Sequence, residues 1–101
     1  MDAKILAASC FDQLKGIAQF TPASQVTLIE LTIGSTYQVD PRELADVIEE
    51  LLEEDHDQKI ADAVVNVKIV NPGDTYKMPS RDDEHIATGW ELLVSNLKTN
   101  E

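Results

Sequence analysis

Cysteine occurs once, at Cys10, so the chain forms no internal disulfide and has no Cys-x-x-Cys pair for metal or redox chemistry. Basic residues are scarce too: eight lysines and arginines face nineteen aspartates and glutamates, leaving a net charge of −11. That charge repels the nucleic-acid phosphate backbone and anionic lipid alike, which argues against both as partners. No apolar run approaches the ~20 residues that a membrane helix requires, and no signal-like stretch follows the start, so a cytoplasmic location is expected. A Gly-rich phosphate loop, Gly-x-Ser-x-Gly, His-Glu-x-x-His and calcium-loop spacing are also missing. The expectation is a protein that is not an enzyme.

What is present suffices for one core. A chain of 101 residues with 43% apolar side chains supports a single domain, residues 1–101, and is not globally disordered. Residues 4–20 predict a first helix with Leu6, Cys10, Leu14 and Ile17 on one stripe, ended by Pro22, which disfavours helical geometry at Thr21. Ile29, Leu31 and Ile33 alternate with Glu30 and Thr32, the pattern of a half-buried strand over residues 26–33.

The clearest local signal follows. Asp40 can accept from the free amides of a helix start, Pro41 suits the first helical position, and Glu43 is placed to complete a capping box. Leu44, Val47, Ile48, Leu51 and Leu52 then form one apolar stripe. After a polar break, Ala63, Val65, Val67 and Ile69 alternate within residues 61–70, a second strand. Asn71-Pro72-Gly73-Asp74 has turn chemistry, the polar stretch continues to Glu84, and residues 85–97 read as a last strand, bent at Gly89.

The order helix, strand, helix, strand, strand predicts an α+β fold, two helices on one face of a small three-stranded mixed sheet. The strands beside the polar loop are expected to pair as an antiparallel hairpin, and those flanking the second helix to lie parallel. A three-stranded sheet leaves two edges, and either suits pairing with a second copy. The expected core is Leu6, Leu14, Ile17, Ile29, Leu31, Ile33, Leu44, Val47, Ile48, Leu51, Val65, Val67, Leu92 and Val94.

Few residues have site chemistry. His56 lies among Glu53, Glu54, Asp55 and Asp57, a group that suits either a cation held by hard oxygens or a solvated helix end. His85 follows Asp82, Asp83 and Glu84, and reads equally as a weak metal ligand or an inert surface histidine. Cys10 reads as a small core residue with no activating base near it in sequence. Trp90, the one tryptophan, reads as a core or interface anchor. The acidic excess fits a high-salt habitat as well as a functional acidic face.

Residues 26–52, a strand ending in Ile33-Gly34 followed by a turn and an amphipathic helix, resemble the HypA/HybF nickel-insertion accessory proteins of hydrogenase and urease maturation. Residues 80–97, with Gly89-Trp90-Glu91-Leu92-Leu93-Val94, are similar to that family's closing Gly-x-Glu-Leu-x-Val-x-x-Ile strand. The resemblance implies a non-enzymatic metallochaperone-like accessory protein. Its implied partners are a GTP-hydrolysing nickel-insertion protein and a hydrogenase or urease precursor.

Two departures bear on metal. The family's N-terminal Met-His-Glu nickel ligands are replaced by Met1-Asp2-Ala3, and its two Cys-x-x-Cys zinc pairs give way to the polar loop 71–84. No cofactor and no structural zinc are therefore expected. Any residual nickel affinity is assigned to Met1 with Asp2, to His56 or to His85. The rival reading is a structural or regulatory protein–protein interaction module that handles no metal.

Overall fold

Asp40 and Pro41 start the second helix as their chemistry dictates, and the remaining elements are arranged around it. The computed structural model describes residues 2–21, 25–56, 59–77 and 84–99. Within them α1 runs Ala3–Phe20, β1 Val26–Gly34, α2 Pro41–Asp55, β2 Val64–Val70, β3 Thr75–Lys77, β4 Glu84–Ile86 and β5 Leu92–Thr99. Asp40 Oδ1 accepts from the Arg42 amide at 2.9 Å and the Glu43 amide at 3.2 Å. A cap of this kind contributes ~1 kcal/mol. The return bond from the Glu43 side chain is not formed among the described residues, so the cap is one-sided.

Helix α1 is capped by Asp2, whose Oδ1 accepts from the Lys4 amide at 2.9 Å. At its other end Lys59 Nζ donates to the carbonyl oxygens of Ala18 and Thr21, setting a cation against the negative end of the helix dipole.

The main sheet has the order β2-β1-β5. Strand β1 runs parallel to β2 and antiparallel to β5, with a register irregularity between Glu30 and Leu31. Ile29, Leu31 and Ile33 lie level with Val65, Val67 and Ile69 on one side and with Leu97, Val94 and Leu92 on the other. Alternation sends these side chains to the face where α2 packs on β2 and α1 on β5. The α+β class and the parallel strands around α2 are as the sequence predicts.

Two expectations are corrected. The strands beside the polar loop do not pair with each other, because β1 lies between them. Nor is residues 85–97 one strand. It divides at Gly89, and its first part pairs as β4 with β3 in a separate two-stranded sheet, Thr75 opposite Ile86 and Lys77 opposite Glu84. The stretch read as an irregular loop therefore contains a hairpin, with residues 78–83 outside the described residues.

The core is close to the expected one. Leu6, Leu14, Ile29, Leu31, Ile33, Leu44, Ile48 and Val65 are buried, while Val47, Leu51, Val67, Leu92 and Val94 are half-buried against them. Ile17 is corrected to the surface, 36% exposed, and Ala18 is buried in its stead. Trp90, 60% exposed, is no core residue.

Candidate functional site

Strand β1 ends in Gly34, and the close approach there positions everything at this end of the molecule. A Cβ on Gly34 would lie 2.0 Å from the Gly89 carbonyl oxygen, so the end of β1 and the 87–91 turn meet backbone to backbone. Gly34 N donates to Glu91 O at 2.8 Å, and Thr36 N donates to Gly89 O at 3.0 Å. Gly89 adopts φ +92°, a region that favours glycine, and a Cβ there would meet Thr36 Oγ1 at 2.7 Å and Pro72 Cγ at 2.8 Å. The crossing at Gly89 is thus clamped against the end of β1, and Pro72, at the other crossing, stands beside Gly89.

Glu91 holds the turn closed. Its Oε2 accepts from the Thr88 amide at 2.9 Å and the Thr88 hydroxyl at 3.2 Å, and its Oε1 accepts from the Gly89 amide at 2.9 Å. Burial works to raise its pKa, but these donors and its own amide outweigh burial and hold the carboxyl below its ordinary value of 4.5. Because the folded pKa is depressed, the stabilisation is complete above the ordinary value and is lost as pH falls through the lowered one.

Replacing Glu91 with Gln is expected to cost about 1–3 kcal/mol at neutral pH. The difference in unfolding free energy between parent and variant is expected to shrink as the pH drops below 4.5. Urea titrations from pH 7 to pH 3 measure it, and a difference unchanged across that range would refute the assignment.

Two aromatic rings flank the turn. Trp90 packs edge-on against Tyr37 with centroids 5.6 Å apart, and Tyr37 Oη donates to Trp90 O at 2.9 Å. Of the two, Trp90 is exposed and Tyr37 is half-buried against the core. Sequence reasoning quotes Gly34 and Glu91 only as parts of the family resemblance and passes over Tyr37, although Thr88-x-x-Glu91 has the spacing at which a hydroxyl and a carboxylate close a turn.

The residues expected to bind metal occupy separate elements. Met1 lies outside the described residues. Asp2 is occupied in capping α1. His56 terminates α2 in the left-handed conformation, φ 57°, beside a surface depression lined by Glu50, Glu53 and Glu54. His85 lies in β4, stacked on Tyr76 with centroids 5.4 Å apart, and its Nε2 is buried without a hydrogen-bond partner among the described residues.

Topology keeps the histidines apart. Since α2 returns from the end of β1 to the start of β2, His56 lies near the start of β2 and the hairpin beyond its end, about 20 Å away along the strand. Asp2 is about 20 Å along α1 from Lys15, whose Nζ meets Asp55 Oδ2 at 2.7 Å beside the end of α2. Among the described residues no group of three or more His, Cys, Asp or Glu side chains is placed to hold a metal ion.

Cys10 is buried, and burial pushes its thiol up to about 11, so at neutral pH it is a protonated core residue. No helix among the described residues is long and apolar enough to cross a membrane. Compared with family models, with curated proteins and with solved structures, the chain matches none.

Proposed function

We propose that this chain is a non-enzymatic accessory protein of the HypA/HybF type that acts through protein contacts and has lost the family's metal ligands. The observation that carries the reading is the hairpin. It stands between β2 and β5, the interval in which the family places its zinc module, and it is clamped to β1 at Gly34 and Gly89. On this reading β3–β4 keeps the spacing of the two outer strands without a metal. The exposed carboxylates of α2, among them Glu43, Asp46, Glu50, Glu53 and Glu54, meet a basic surface on a GTP-hydrolysing nickel-insertion protein or a metalloenzyme precursor.

The rival reading, an interaction module without any metal step, is supported by Asp2, whose carboxylate is engaged in capping α1. Calorimetric titration distinguishes the two. The parent chain is expected to bind nickel more weakly than about 10 µM, and Asp2→His, which restores an imidazole beside the terminal amine, to bind at least about tenfold tighter. A submicromolar parent would overturn the loss of metal ligands. An unchanged Asp2→His variant, together with no binding to a purified nickel-insertion GTPase, would overturn the family reading and leave the interaction module.

A further inference from the structure

Each helix sends one side chain down to the sheet edge nearest to it. On α2, Glu49 Oε2 accepts from the Val65 amide at 2.9 Å, and on α1, Gln13 Nε2 donates to Leu92 O at 2.9 Å. Among the described residues β2 and β5 are the outer strands of the β2-β1-β5 sheet. Main-chain groups alternate in direction along a strand, so with the Val65 amide on Glu49, the amides and carbonyls of Val65, Val67 and Ile69 point away from β1. Leu92 O points outward too, since Glu91 O before it faces Gly34 N. Both helices therefore fill a main-chain position that a further strand needs.

The two edges are closed further by different means. At β2, Arg42, Asp46 and Glu49 recur along one flank of α2 and, with Val65 and Val67, line a groove of about 330 Å³. A strand laid there would take the Val65 amide from Glu49 and leave the carboxylate without a donor, in a groove it shares with Asp46. At β5 the pairing skips Ser95, because Leu31 lies opposite Val94 and Glu30 opposite Asn96. This bulge breaks the row of outward groups just beyond Val94, and Ser95 Oγ donates to Glu30 O at 3.1 Å.

We infer that Gln13 and Glu49 are edge-closing residues, which hold the main sheet at three strands and keep the chain from pairing, strand to strand, with a second copy. Strand count alone predicts the opposite, since an open sheet offers an edge on either side. The burial of Glu49 supports the assignment. It is half-buried, where a carboxylate needs a donor, and the Val65 amide supplies one, whereas Glu50 beside it is exposed. An ionised carboxylate is an acceptor only, so it satisfies the edge amide without offering a donor to an incoming strand. The inference does not depend on the family reading, because it leaves the exposed carboxylates of α2 free for contact.

Sedimentation equilibrium and hydrogen exchange of the full chain test it. The parent is expected to sediment at 11.2 kDa at about 100 µM in about 0.5 M salt, where the repulsion between chains of charge −11 is screened. The double variant Gln13→Ala with Glu49→Ala is expected to associate under the same conditions. Glu49→Gln, which loses the charge and keeps an acceptor oxygen, is expected to remain a monomer, separating the hydrogen bond from charge repulsion. In Glu49→Ala alone the Val65 amide is expected to exchange with deuterium at least about tenfold faster than in the parent, a readout that stands even if the double variant does not fold. A parent already associated at about 100 µM, a folded double variant that stays monomeric, a Glu49→Gln chain that associates as the double variant does, or a Val65 amide indifferent to Glu49→Ala would overturn the inference.

Discussion

Gly34→Ala is expected to destabilise the fold by about 3 kcal/mol or more, a large effect for one added methyl group. The new Cβ would lie 2.0 Å from Gly89 O, 2.1 Å from Gly89 C and 2.5 Å from Trp90 N, all of them backbone atoms. None is the far end of a flexible side chain, so relief requires moving a chain segment. The 87–91 turn cannot move cheaply, because Gly34 N and Thr36 N bond to it, Glu91 closes it, and Pro72 and Thr36 stand within 3 Å of where a Gly89 Cβ would be. Equilibrium urea unfolding is the measurement. A loss under about 0.5 kcal/mol would show that strand and turn separate freely.

The second large effect belongs to Ile48. It is fully buried in the cluster that joins α2 to the sheet, so Ile48→Ala removes three methyl or methylene groups from a site the surroundings cannot refill. A loss of about 2–5 kcal/mol is expected, with the denaturant slope unchanged. Leu51 lies on the same stripe but is only half-buried, and Leu51→Ala is expected to cost about 1 kcal/mol. Equal costs at the two positions would mean that burial does not grade this stripe.

Why some features were legible and others not follows from the range of the interactions involved. Asp40-Pro41 and the stripe from Leu44 to Leu52 declare a helix because caps and 3.6-residue periodicity act over a few residues. The alternation in β1 is equally local. The order β2-β1-β5 is not, since β1 pairs with β2 36 residues further on and with β5 59 to 73 residues further on. In the sequence the division of residues 85–97 shows only as a bend at Gly89, because Ile86, Trp90, Leu92 and Val94 keep one apolar phase on both sides of it. Gly89 reverses the chain at positive φ, and Glu91 gathers the amides there.

Ile17 shows a subtler limit. It shares the stripe of Leu6 and Leu14, but the sheet is three strands wide and the flank of α1 nearest β5 overhangs its edge. Ala18, on the opposite flank, is covered. Helical phase predicts direction, not what stands in that direction. Among the metal candidates, residue type was legible and spatial convergence was not, since Asp2, His56 and His85 belong to three elements.

The central place of β1 also has a meaning in time. Its parallel neighbour β2 is complete at Val70, but its antiparallel neighbour begins only at Leu92. During synthesis at about 5–20 residues per second, the nascent chain waits roughly one to four seconds between those two points. Throughout that interval the apolar strand from Ile29 to Ile33 has one bare edge, open to any other extended chain nearby. The protein's most vulnerable moment therefore comes before its last strand has left the ribosome.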